Sequence, residues 1–280
     1  MTAVFRYSPA TAVREGVVWV FALLTLLPFY FLVVTALKPS EELLTTSTSA
    51  PPDRPTLDNF TEVLIGGGDN NILLALGHSV VITAASIIGL VAFGSLAAYV
   101  LSRTTRRCGT ITFYGFLIAI LLPTQLGLVP LYIGARQIGL VGTMWGMVVL
   151  YVGTLMPLAV FLYAGFFRNL PRDYEEAASL DGASPGRVFL RVVFPLMSPA
   201  TGTVAILAGL IVWNDFFSAL IFLGGSDNQT LPVSMYYYVG SLVSAWNKIF
   251  AIVLISMVPI LAFYLFAQKK FIQGFAGGIK

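Results

Sequence analysis

Six stretches of this chain are each long and apolar enough to cross a lipid bilayer as a helix, and that limits what the chain can fold into. They lie near Gly16–Leu37, Gly77–Leu101, Ile111–Tyr132, Thr143–Phe167, Pro199–Leu223 and Ile249–Ala267. Each approaches the ~20 residues that a helix needs to span the hydrocarbon. Without water, every backbone N–H and C=O must be paired within the chain, so only helices and closed barrels can span. Barrel strands would alternate apolar and polar residues over segments of ~10, and these stretches do not. Composition agrees. Hydrophobic residues make up 57% and charged residues 10%, against roughly 25% charged in ordinary soluble domains, and mean hydropathy is +0.85. The expected fold class is all-α, an integral membrane protein with six transmembrane helices. The first span is too long, and its flanks too weakly basic, for a cleaved signal peptide. No internal repeat or second soluble domain is visible, so residues 1–280 are expected to form a single transmembrane domain.

The basic residues orient the spans. With both termini cytoplasmic, the inner side carries Arg6, Arg14, Arg103, Arg106, Arg107, Arg168, Arg172, Arg187, Arg191, Lys269, Lys270 and Lys280. The outer side carries Lys38, Arg54, Arg136 and Lys248. Twelve of the 16 basic residues thus fall inside, the bias expected of cytoplasmic loops. Two larger loops, Lys38 to about Leu76 and Gly224 to about Lys248, fall outside. A net charge of +3 is too small to argue for nucleic acid. The single Cys108 excludes an internal disulfide framework and any Cys-rich metal site, so no metal is expected.

Between spans four and five lies a polar island, Arg168 to Pro195. It reads as two short helices, about 170–195, joined by a tight turn. Pro171 suits a first helical turn, and Asp173, Glu175 and Glu176 put negative charge at the positive helix end. Gly182 supplies the left-handed residue that stops the first helix. Ser184 is placed to cap the second, with Pro185 at its first position. Arg187 and Arg191 lie four apart on one face, and Val188 and Val192 on an adjacent one. Phe189 and Val192 are expected to anchor this helix on the spans. Small Ala177 and Ala178 would let a partner surface come close. Glu176 and Asp181 would pair with basic residues across such a contact. The plainer alternative is a solvated loop whose charges merely obey topology.

Glu176-Ala177-Ala178, Gly182, Val192, Phe194 and Pro195 fit the spacing EAA, three residues, Gly, nine residues, Ile/Val, one residue, Leu-Pro, with Phe194 in place of the usual Leu. In this the island resembles the cytoplasmic coupling motif of binding-protein-dependent ABC importer permeases. Further stretches resemble the sugar branch, in particular its maltose-type second permease subunit. They are Pro123-Thr-Gln125, Leu128-Val-Pro-Leu-Tyr132, Gly139-Leu140, Trp213-Asn214-Asp215 and the tail Phe271–Lys280, expected to be intact or nearly so. The resemblance implies a type I importer permease fold in a bacterial inner membrane. It implies a heterodimer with a second permease subunit, two copies of a cytoplasmic ABC ATPase, an external solute-binding protein and a di- or oligosaccharide substrate. Glu176 to Gly182 would then sit in a cleft of the ATPase. The sequence has no G-x-x-x-x-G-K-[ST] phosphate loop. No cofactor is therefore expected in this chain, ATP and Mg²⁺ being bound by the ATPase partners, and no enzyme activity of its own.

Asp215 is the one acid deep in a span, and an intramembrane carboxylate is costly enough to suggest a cavity or a polar partner. With Asn214 and Trp213 it can bind a sugar, form a gate or link to the partner; it can equally fix packing by an interhelical hydrogen bond. Gln125 follows Pro123, whose kink would free backbone groups along a cavity. Gln125, Asn214 and Asp215 are thus candidates for a translocation pathway or gate. His78 suits interfacial packing better than a proton relay, and Tyr236–Tyr238 form either an interfacial belt or a contact for the external protein. Two other classes remain open. An ion-driven secondary transporter would want more intramembrane acids or an ion site at broken helices. An intramembrane sugar-lipid enzyme would want clustered Asp, Glu, His or Lys at one membrane face.

Overall fold

The computed structural model describes residues 9–47, 49–65, 71–239 and 245–277. Arg6, Gly66–Gly68 and the tail residues 278–280 lie outside them. Among the described residues there is no strand. Helices are numbered here α1 (Pro9–Ala36), α2 (Asp58–Ile65), α3 (Ile72–Arg103), α4 (Arg107–Leu121), α5 (Thr124–Gln137), α6 (Met144–Asn169), α7 (Asp173–Leu180), α8 (Pro185–Leu196), α9 (Ser198–Asn214), α10 (Phe217–Leu223), α11 (Leu231–Val239) and α12 (Trp246–Gly277). The chain forms two compact units, residues 1–71 with 237–256, and residues 72–236 with 257–280.

Four helices, α1, α3, α6 and α12, are single spans of the expected kind. The other two expected spans are broken. α4 and α5 meet at 105° across Leu122–Pro123, because proline has no N–H to continue the ladder and pushes the residue before it into extended backbone. Span five is interrupted at Asp215–Phe216, between α9 and α10, and the island helix α8 enters it at a 73° bend to α9. A span that breaks inside the membrane exposes backbone polar groups, which is tolerated only where protein or a polar cavity receives them.

In the first unit, α1 exposes Trp19, Phe21, Leu23 and Leu24. Its C-terminal end is tied to the following loop by polar bonds. Asn59 on α2 donates to the Ala36 carbonyl (2.7 Å) and the Lys38 carbonyl (2.9 Å). Asn247 donates to Lys38 (3.2 Å) and to Asn59 Oδ1 (2.8 Å). Lys38, expected among the outer surface charges, is fully buried, and its Nζ donates to Thr46 Oγ1 and the Ser47 carbonyl.

In the second unit, α3 and α6 pack closely because small residues sit at their crossing. A Cβ on Gly94 would lie 2.9 Å from the Ala159 Cβ, closer than carbon atoms pack. Small residues that admit close backbone approach are the main device of helix packing in lipid. The core here runs through Leu90, Ala159, Val160, Tyr163 and Phe167 to Val188, Phe189, Val193 and Val204, joining α3, α6, α8 and α9.

Candidate functional site

The island folds as two helices. The Arg172 carbonyl accepts the first bonds of α7, from the N–H groups of Glu175 (2.9 Å) and Glu176 (3.0 Å). Gly182 adopts φ 80°, a conformation that glycine takes without penalty. Its N–H donates to the Ser179 carbonyl and that of Ala183 to the Ala178 carbonyl, each at 3.0 Å. This nested pair closes a helix C-terminus and reverses the chain. Pro185 opens α8 as expected, but Ser184 makes no side-chain cap; its carbonyl instead accepts from Val188 at 2.9 Å.

The inward face of α8 also differs from expectation. Residues Phe189–Val193 form a π-helical turn. Such a turn carries one extra residue and shifts every later side chain in register. Phe189, expected as an anchor, is buried with Val188 before it, and past the extra residue it is Val193 that is buried, whereas Val192, also expected as an anchor, is only half-buried. Likewise Ala178 packs inward against the core. The exposed surface of the turn consists of Glu176, Ala177, Leu180, Asp181 and Gly182, with Leu180 89% exposed. An apolar side chain so bare, framed by two acids, is a surface that a basic, grooved partner would cover.

What the sequence did not reveal is how α7 is held. Glu175, the neighbour of Glu176, faces inward. Its Oε1 accepts from Arg103 Nε (2.8 Å) and its Oε2 from the Tyr99 hydroxyl (2.9 Å). Arg103 also donates to the carbonyls of Phe167 (3.3 Å) and Leu170 (3.1 Å), at the end of α6. Tyr99 in turn packs on Phe167 and Phe189, with ring centroids 5.7 and 5.1 Å away. The sequence placed Arg103 only as a topological charge. Its position as the last residue of a span, where a guanidinium can reach open helix carbonyls, was the available signal.

The second group of candidates meets in one cavity. Gln125, Asn214 and Asp215 line a space of about 240 Å³ with Thr124, Tyr151, Thr154 and Ser218. The residues that follow the Leu122–Pro123 break and those at the Asp215–Phe216 break both line it. Asp215 is fixed in place: Oδ2 accepts from the Tyr151 hydroxyl (3.0 Å), and Oδ1 accepts from the Ser218 N–H (3.3 Å), three residues on. The second bond pairs one of the open N–H groups in the first turn of α10, so the acid that ends α9 also ties down the start of α10. Asn214 donates back to the Leu210 carbonyl (2.8 Å). Trp213 does not join this group. It is buried on the opposite side of α9, in an apolar space with Ile87, Pro259 and Phe263. Tyr151 and Thr154, three apart on one helical face, were missed; two polar groups at that spacing within span four were the signal.

His78 Nδ1 lies 3.2 Å from the Gln229 carbonyl, a packing contact. Tyr236 rests on Phe216, centroids 5.2 Å apart, on a helix rather than a loop. Among the described residues no group of three or more His, Cys, Asp or Glu is placed to hold a metal ion.

Residues 90–275 match the family described as binding-protein-dependent transport system inner membrane component. The chain is 33% identical over 253 residues to the melibiose/raffinose/stachyose import permease protein MelC of Bacillus subtilis, covering 90% of each. It is 32% identical over 262 residues to the probable starch degradation products transport system permease protein AmyC of Thermoanaerobacterium thermosulfurigenes, covering 93% of this chain and 94% of that one. In fold it matches a chain of a bacterial ABC transporter that imports the acidic polysaccharide alginate. The TM-score is 0.83 and the identity 20%, with 96% of this chain and 100% of that chain covered.

Proposed function

The chain belongs to the family of binding-protein-dependent transport system inner membrane components, and from that premise we propose that it forms half of the translocation pathway of an ATP-driven importer of di- or oligosaccharides. It is a multi-pass permease subunit of the inner membrane and works with an ATPase and a binding protein on a sugar substrate. It is a transport subunit, not an enzyme. The finer assembly is part of the proposal: a heterodimer with a second permease subunit, two copies of the ATPase, and one external solute-binding protein. ATP and Mg²⁺ belong to the ATPase partners.

One observation carries the coupling role: the exposed, capped turn from Glu176 to Gly182, which presents small, acidic and apolar residues at one end of the spans. Closure of the ATPase dimer displaces this turn, and the displacement opens the pathway outward. The sugar passes from the binding protein into a cavity between the permease subunits, and then inward as the ATPases reopen. The cavity of Gln125, Asn214 and Asp215 is this chain's contribution, as a lining or as a gate.

The test uses the complex purified with its neighbours and placed in liposomes. Uptake of labelled maltotriose or raffinose should need both ATP and the binding protein, and should survive a protonophore. Uptake that persists without ATP and collapses with the protonophore would instead favour an ion-driven carrier.

A further inference from the structure

Resting on the coupling reading above, we infer that Arg103 is a positioning residue that carries the movement of α7 into the spans. The reason is how little else holds α7. None of its residues is fully buried. An eight-residue helix with so little apolar anchorage would swing on the Leu170–Arg172 connection when pushed, and the push would be lost. Glu175 prevents this from the upstream end, because Arg103 and Tyr99 take both of its oxygens.

The same guanidinium reaches further. Arg103 ends α3, and through Nη1 and Nη2 it also holds the Phe167 and Leu170 carbonyls at the end of α6. One planar fork therefore fastens α7 to two spans at once, which a point-charge lysine cannot do. The Arg103 and Glu175 side chains are each only 15% exposed. Water screens them less than a surface pair, so the link is stiffer than an exposed ion pair would be. From Tyr99 the contact continues through Phe189 to Phe194, which brings α8 into the same cluster. The clamp ties α7 to α3, α6 and α8 as one body, leaving Glu176, Ala177, Leu180 and Asp181 free for the ATPase.

The experiment is a double-mutant cycle in the reconstituted complex, with Arg103→Ala, Glu175→Ala and the pair, plus Arg103→Lys and Glu175→Gln in case an alanine variant fails to assemble. The readout is sugar taken up per ATP hydrolysed, per assembled complex, using whichever of maltotriose or raffinose the wild type imports. Each single change should lower that ratio at least about fivefold, the lower end of typical coupling between sites. The pair should be no worse than the worse single change. Arg103→Lys should fall between wild type and alanine. A normal ratio in complexes that are merely scarcer would overturn the inference and leave the clamp a structural brace, as would effects that simply multiply. Gly182→Asp separates this from failure of the coupling reading. If Gly182→Asp uncouples and the clamp variants do not, only the clamp is wrong; if Gly182→Asp also transports normally, the coupling reading itself falls.

Discussion

An ionised carboxylate has about four acceptor sites, and Asp215 uses one oxygen for Tyr151 and the other for the Ser218 N–H. The same residue lines the cavity with Gln125 and Asn214. The structural role and the pathway role therefore coexist in one side chain, and charge separates them. Asp215→Asn keeps the size; its single amide oxygen can still accept from the Ser218 N–H, while its amide N–H donates to the Tyr151 oxygen. The complex should assemble as wild type. Hydrogen bonds to a charged group exceed neutral ones by about 1 kcal/mol, so apparent affinity or uptake rate should change by about fivefold. Asp215→Leu leaves the Tyr151 hydroxyl and the Ser218 N–H without their acceptor, at about 1–3 kcal/mol for each group left unpaired, and should reduce the amount of assembled complex. Uptake per complex is the deciding measurement. Wild-type uptake in the asparagine variant beside poor assembly in the leucine variant would make Asp215 a packing residue only.

At the scale of elements, the turn after α7 rests on a single backbone conformation. Gly182 has φ 80°, and a Cβ built there meets nothing within 4 Å. A side chain at this position therefore costs backbone strain, about 1–2 kcal/mol, but no clash, so variants should still insert and assemble. Gly182→Asp adds a third acid beside Glu176 and Asp181 and should uncouple uptake from ATP hydrolysis. Gly182→Ala carries the strain without the charge and should retain more coupling; equal coupling to wild type in both would remove the turn from the mechanism. Gly94 behaves differently. A Cβ there presses on Ala159, so Gly94→Val should lower assembled complex, since overpacking costs typically 1–3 kcal/mol; full yield would mean that α3 and α6 shift freely. These positions also mark what was legible. Gly182 and Pro185 announce their geometry locally, so the two-helix island could be read from the chain. Pro123 announced a kink, though not one of 105°. The π turn at Phe189–Val193 has no local signature, because it follows from seating both Phe189 and Val193 in the core. Asp215–Phe216 has no helix breaker either. Arg103 and Glu175 stand 72 residues apart, and only the packing of α3 beside α6 brings them together.

At the scale of the whole molecule, many large apolar side chains among the described residues are exposed. Trp19 is 69% exposed, Phe93 62% and Val258 65%, a surface that only lipid and partner subunits can cover. Which way the spans run through that lipid is written in the charges. Lys38 counted among four outer cations, but its ammonium is buried and bonded to Thr46 and Ser47, so the outer surface is poorer in positive charge than the sequence suggested. Arg106, Arg107, Arg172, Arg187 and Arg191 are exposed. Insertion follows the Lys and Arg of short loops near span ends, which puts the α3–α4 and α6–α9 connections in the cytoplasm and the loops around Asp53 and Asp227 outside. Asp53, Asp227 and Arg187 are all exposed, so a single cysteine at any of them is open to reagent on its own side. Cys108 is exposed as well and must first be changed to serine, or it would report in every permeabilised sample. In intact cells an impermeant maleimide should label cysteine at position 53 or 227 and leave position 187 untouched. In permeabilised cells all three should react, which establishes that the silence at 187 is topological rather than steric. Labelling at 187 in intact cells would place the acidic turn of α7 outside, beyond reach of any cytoplasmic ATPase, and the coupling role would fall with the orientation.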